Sequence, residues 1–229
     1  MSVATATQSS DLPDPAQRAS HAMTRLAAGL LVIGTLIFLV DLLLVLAHDT
    51  VSLDRMFALD VHRDAPGSLK PTMTLVSVLG GPGGVAVVAL IAVLHFFRQR
   101  ALHPAIMVVS GLGGGELLDT VIKNAVHRPR PHLWSGALVE HSYSFPSGHA
   151  TAAMATALAL CFAIRHSHGR TPTLVAAGVG ALVVLSVGFS RVFLGVHWPS
   201  DIVGGYALAL AWVSLVVLLV ERRAPSVIP

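Results

Sequence analysis

Leu174-Val175-Ala176-Ala177-Gly178-Val179-Gly180-Ala181-Leu182-Val183-Val184-Leu185 carries no polar side chain on any face. A helix in the core of a soluble protein keeps a polar stripe toward water. This one has none, and a spanning helix needs roughly 20 such residues, which the continuation to Ser190 nearly supplies. Five further segments repeat the pattern, about Leu26 to Ala47, Gly83 to Phe97, Ala105 to Ile122, Ala150 to Ile164 and Ile202 to Val220. The six together predict an all-α integral membrane bundle of six transmembrane helices.

The composition agrees. Apolar residues make up 54% of the 229 and Asp, Glu, Lys and Arg only 12%, against roughly 25% charge in soluble domains. Too few charges remain to solvate a surface. The net charge of +3 does not signal nucleic acid, because the basic residues are scattered over segment ends and form no stripe. Cys161 is the single cysteine, so no intramolecular disulfide exists.

Residues 1–22 are rich in Ser, Ala, Thr, Asp and Pro, without the charged, apolar and small-residue regions of a cleaved signal. They are expected to be a disordered tail, followed by one membrane domain over 23–223 and a short tail over 224–229. The first apolar segment is too long for a signal-peptide core and is expected to stay as an anchor. Residues 48–79 read as an external loop with an interfacial helix. Gly80-Gly81-Pro82-Gly83-Gly84 breaks helix geometry, which at membrane depth is tolerated only when packed by protein or water.

Three short clusters lie at segment ends. Lys123 closes the third segment, and Arg130 follows in His127-Arg128-Pro129-Arg130-Pro131, where the prolines hold the backbone extended. An Arg fork and a Lys point charge suit phosphate oxygens, although alone they also fit a basic patch touching lipid headgroups. Pro146-Ser147-Gly148-His149 opens the fourth segment. Ser147 is a favoured N-cap, and the N–H groups of Gly148 and His149 would face an anion beyond the helix start; alone this is equally an ordinary helix start. His149 could donate a proton to a leaving oxygen. In the third cluster, Ser190-Arg191 precedes His197, and Pro199 and Asp201 open the sixth segment. Arg191 would close a phosphate clamp, and a carboxylate four residues beyond the imidazole can fix its tautomer and leave Nε2 with a lone pair. The bland reading is an interfacial His with an Asp favoured by the helix dipole.

Read in order, Lys-x6-Arg-Pro, Pro-Ser-Gly-His and Ser-Arg-x5-His-x3-Asp resemble the motifs of the type 2 phosphatidic acid phosphatase superfamily. That superfamily includes integral lipid phosphate phosphatases, soluble bacterial acid phosphatases and vanadium haloperoxidases. The resemblance implies that Lys123, Arg130, Arg191 and the backbone amides around Ser147 and Gly148 bind phosphate. It implies that His197 is the nucleophile, Asp201 its orienting partner and His149 the general acid. It also implies chemistry without a metal or other cofactor, at the external or lumenal face.

The expected activity is hydrolysis of the terminal phosphate of a lipid phosphate or diphosphate through a phosphohistidine. Phosphatidic acid, phosphatidylglycerol phosphate and a polyprenyl diphosphate all present such a phosphate. A lipid phosphotransferase, a haloperoxidase-like vanadate site and a transporter remain as alternatives; the transporter is disfavoured because the phosphate-binding groups cluster at one face and not at the midplane. The expected partners are lipid phosphate and membrane lipids, with no nucleic acid, and oligomeric state is not legible.

Arg18, Arg25, Arg98, Arg100, Arg165, Arg170, Arg222 and Arg223 fall on the side of the termini. Once Lys123, Arg130 and Arg191 are set aside as site residues, that side holds the positive excess and reads as cytoplasmic. The expected location is a bacterial-type inner membrane with the site facing outward. Asp119 and Glu116 share a helical face with Lys123 and are expected to support it; Asp41, inside the first segment, is costly in lipid unless it faces the bundle. His127, His132 and His141 match no metal-ligand spacing. Trp134 and Trp198 suit a membrane interface beside the site.

Overall fold

The computed structural model describes residues 15–64, 66–133 and 140–223. Its elements are α1 (Pro15–Leu46), α2 (Val51–Asp64), a 3-10 turn (Gly67–Leu69), α3 (Lys70–Gly80), α4 (Pro82–Arg98), α5 (Leu102–Val126), α6 (Gly148–His168), α7 (Arg170–Phe193) and α8 (Pro199–Arg223). Among the described residues no strand occurs. The helix α1 reaches back to Pro15, into the stretch read as tail; residues 1–14 and 224–229 lie outside the described residues.

Five helices, α1, α5, α6, α7 and α8, are each long and apolar enough to cross a membrane. A sixth crossing arises if α3 and α4, bent by 44° at their junction, count as one. Residues 70–79, which the sequence reading placed in an external loop with an interfacial helix, are helical. At 1.5 Å per residue the 17 residues of α4 reach only ~26 Å, short of the ~30 Å hydrocarbon core, and α3 counted with it would supply the remainder. The short helix α2 turns Asp54 and Ala58 inward and leaves Val51, Leu53, Met56 and Phe57 exposed, the habit of a helix lying along a membrane interface.

The two most buried long helices are α6 and α8; α8 packs against α1, α5 and α6, while α6 also packs against α4 and carries α7 on its far side. Small residues let the helices approach closely, as membrane bundles require in place of a hydrophobic drive. Ala155 and Ala159 of α6 meet Met107 of α5 and Ala209 and Val213 of α8 in one buried cluster. Outward faces carry Leu36, Leu43, Leu182 and Leu185, each well exposed, as expected of surfaces meant for lipid. Up-and-down connectivity brings the C-terminal ends of α5 and α7 and the N-terminal ends of α6 and α8 to one end of the bundle. All three motif clusters sit there.

Candidate active site

The site is built at the start of α8. Pro199 occupies its first turn, and Asp201, two residues on, reaches back to accept the backbone N–H of Trp198 at 2.8 Å, the reciprocal half of a capping box. The same carboxylate oxygen lies 3.2 Å from Nδ1 of His197. Its other oxygen accepts from Arg128 at 2.6 Å. Asp201 is thus held on both oxygens, and His197 is buried against it.

The far nitrogen of His197, Nε2, stands 3.0 Å from Nη1 of Arg130. A guanidinium has only donors, so Nε2 must present its lone pair and Nδ1 must carry the hydrogen that goes to Asp201. Geometry alone therefore sets the tautomer. Burial drives the imidazole pKa down to about 4, against the hydrogen bond and charge of Asp201, which pull it upward. The ring is neutral near pH 7.

Arg130 is aimed by an unusual number of carbonyls. Nε donates to the Ser142 carbonyl at 2.7 Å, Nη1 to the Val196 carbonyl at 2.7 Å, and Nη2 to Ser142 Oγ at 2.9 Å and the Tyr143 carbonyl at 3.2 Å. Arg191, at the end of α7, donates through Nη1 to Ser77 Oγ of α3 at 2.5 Å. The carboxylate of Glu140 bridges the two arginines, at 2.8 Å from Arg130 and in contact with Nη2 of Arg191. Burial pushes the Glu140 carboxyl upward, but Arg191 and Arg130 outweigh it and hold it below its ordinary value. Desolvation lowers the Arg130 pKa, and Glu140 and Asp201 oppose that shift. An anion already sits between the two guanidiniums that the motifs assign to phosphate.

Lys123 donates to Asp119 at 2.9 Å, and Thr151 of α6 donates to the other Asp119 oxygen at 3.2 Å, so Asp119 holds the lysine beside the start of α6. A Cβ placed on Gly148 would stand 3.5 Å from Lys123 Nζ. The expectation for Ser147 needs correction: it occupies the N-cap position of α6, but its hydroxyl makes no cap bond. Its own N–H is taken by the Asp201 carbonyl at 3.0 Å. What remains is a buried hydroxyl, Ser147 Oγ, without a partner among the described residues, and Arg191 Nε is in the same condition. The first-turn N–H groups of Gly148 and His149 likewise have no intrahelical carbonyl within reach.

His149 lies against the α3–α4 break and within electrostatic range of Arg191, Glu140, His197 and Lys123. A Cβ on Gly81 would stand 2.8 Å from both Cδ2 and Nε2 of the ring and 2.8 Å from the Ser77 carbonyl. The glycine is thus needed for close approach. Gly81→Ala is expected to push the imidazole out of this position, and an unmoved His149 ring in a structure of the variant would refute the contact.

Sequence reasoning missed four contributors. Arg128 holds Asp201 and also donates to Asp54 at 2.7 Å and Thr50 at 2.9 Å. Asp54 of α2 caps α8 from outside, accepting the Ser200 N–H at 2.9 Å and its hydroxyl at 2.6 Å. Glu140 and Ser77 complete the list. Only Arg128 left a usable signal: in the extended Arg128-Pro129-Arg130 run, residues two apart share a side.

Asp41 faces the bundle, its Oδ2 near Gly204 of α8 and without a partner among the described residues. Glu116 likewise leaves one buried oxygen unpartnered among the described residues. His127 ends α5 in the left-handed conformation (φ 55°), and the exposed His132 and His141 stay outside this network. Trp198 donates its ring N–H to the Pro129 carbonyl at 3.0 Å; Trp134 lies outside the described residues.

A helical membrane bundle with a tautomer-fixed histidine, a second histidine and a clamp of cations at one end defines a class of anion-handling membrane protein. Residues 104–225 match the model of the PAP2 superfamily, and the chain belongs to that superfamily. It is 32% identical over 147 residues to phosphatidylglycerophosphatase B of Bacillus subtilis, covering 62% of this chain and 70% of that protein. It is 28% identical over 144 residues to an undecaprenyl-diphosphatase of Sulfolobus acidocaldarius, covering 62% and 65% respectively. The crystal structure of the transmembrane PAP2-type phosphatidylglycerolphosphate phosphatase from Bacillus subtilis superposes with a TM-score of 0.76 at 26% identity, over 86% of this chain and 98% of that one.

Proposed function

We propose that the protein is a membrane lipid phosphatase that works through a phosphohistidine. The observation that carries the reading is the His197 ring, its Nδ1–H directed at Asp201 at 3.2 Å and its Nε2 lone pair turned toward Arg130 at 3.0 Å, beside two arginines already gripping a carboxylate. In the first step Nε2 of His197 attacks phosphorus in line, the P–O bond to the lipid breaks, and His149 gives the departing alkoxide its proton. Lys123, Arg130, Arg191, Ser147 Oγ and the first-turn amides of α6 stabilise the charge on the equatorial oxygens. In the second step water attacks phosphorus, its proton passes to His149, the P–N bond breaks, and orthophosphate leaves.

The basic residues at the opposite end of the bundle favour a site on the external face with both termini cytoplasmic. Detergent-solubilised protein is expected to release orthophosphate from lipid phosphates with a chelator present. A transporter would require sealed vesicles, and release that needs an added metal would defeat the mechanism.

The pH dependence follows from His197. Its neutral form is the reactive one, and because burial takes its pKa to about 4 from an ordinary 6.5, the acid limb of kcat/KM for the free enzyme is expected near the lower value. Stability runs the same way: between 6.5 and about 4 the unfolded chain binds a proton that the folded site refuses, so stability falls as pH drops through that window. An acid limb at the ordinary histidine value, after correction for substrate ionisation, would count against a buried nucleophile.

A further inference from the structure

Between α3–α4 on one side and α6–α7 on the other runs a groove of about 590 Å³, the size of sites that enclose one small ligand. Its upper end, at Gly80 and Val187, adjoins Ser77 and Gly81, the residues that hold Arg191 and abut His149. Along α6 it runs from Ala153 to Ile164, ~16 Å of helix rise and about half of a ~30 Å hydrocarbon core. The groove therefore descends from the site through one leaflet. Val88 and Val179 on its rim are exposed, so it opens sideways to lipid.

One feature of this apolar lining calls for a ligand. Thr156 is 4% exposed, lines the groove, and its hydroxyl has no partner among the described residues. A helical threonine ordinarily bonds the carbonyl four residues back, as Thr24, Thr74, Thr120, Thr151 and Thr173 do here. Thr156 does not. A buried hydroxyl left unpaired is costly, and Ser186, across the groove on α7, is the other hydroxyl in the lining.

We propose that the groove takes one acyl chain of the substrate and that Thr156, whose hydroxyl is now enclosed within the lining, turns it into the groove to donate a hydrogen bond to the ester carbonyl, which makes a glycerophospholipid the preferred substrate over a polyprenyl phosphate. This rests on the phosphatase reading and deepens it. Thr156 lies two turns below His149, roughly 10 Å along the axis, and helical side chains lean back toward the N-terminus, here toward the site. A glycerolipid has its ester linkages between phosphate and hydrocarbon, where they can meet that hydroxyl. A polyprenyl chain offers only hydrocarbon at that depth and leaves Thr156 unpaired.

The test is Thr156→Val, which keeps the shape, removes the hydroxyl and breaks no existing bond. Purified protein in mixed micelles is given diacyl phosphatidic acid, its dialkyl ether analogue, a polyprenyl phosphate and tail-less p-nitrophenyl phosphate. The wild type is expected to prefer ester over ether, and the variant to lose that preference by roughly three- to tenfold through the ester rate alone. Ala176→Phe, which fills the lower end of the groove, is expected to slow long-chain esters and spare short-chain ones. An unchanged ester-to-ether ratio, or equal losses on the polyprenyl and tail-less substrates, overturns the proposal. No phosphate release by the wild type from any of the four overturns the phosphatase reading and the proposal with it.

Discussion

Replacing His197 by alanine is expected to lower lipid phosphate hydrolysis by about a millionfold, the scale on which a hydrolase loses its nucleophile, and to abolish acid-labile labelling from radiolabelled substrate. The fold should survive. Asp201 would keep its bonds to Arg128 and to the Trp198 N–H, and Arg130 would keep the Val196 carbonyl, so no buried charge is stranded. The thermal midpoint of the variant should therefore lie close to that of the wild type, which separates lost chemistry from lost structure. Turnover within tenfold of wild type would remove His197 from the role of nucleophile.

Asp201→Asn is expected to cost about four orders of magnitude in kcat, as when a triad carboxylate is made an amide. Neither direction of the amide suits the site, because both carboxylate oxygens accept from donors. With the amide oxygen kept against the charged Arg128 at the Oδ1 position, the NH2 faces the Trp198 N–H and Nδ1 of His197, and the ring hydrogen is driven to Nε2 and into Arg130, which only donates. With the amide turned over, the NH2 meets the Arg128 guanidinium instead. The first direction keeps the stronger, charge-assisted bond. The nucleophilic lone pair is lost while the pocket keeps its size. Binding of orthophosphate or vanadate should change little; a fall in their affinity as large as the fall in kcat would mean that Asp201 holds the clamp together instead.

The long helices were legible because hydropathy over about 20 residues is a local property, and the motif residues because their order along the chain is fixed. The contribution of α3 was not. Its Gly-rich junction with α4 reads as the end of a loop, and only the packing of Gly81 against His149 and of Ser77 against Arg191 reveals a bent element inside the bundle. Asp54 was invisible for a different reason: the helix start that it caps lies 146 positions away, and nothing in the local pattern of α2 announces that pairing. Ser147 shows the reverse error. Its type and position predicted a cap, yet the site uses its N–H on Asp201 and leaves the hydroxyl free.

The carboxylate of Glu140, seated between Arg130 and Arg191, has a bearing on the membrane in which the enzyme works. Ordinary phospholipids present phosphodiesters, which carry one negative charge, no more than the glutamate already in place. A terminal phosphomonoester has a second ionisation near pH 6 and so carries close to two charges at neutral pH. A more highly charged phosphate would displace the resident carboxylate from the arginines more readily than a diester would, so the same glutamate would hold the surrounding diester headgroups back from the pocket.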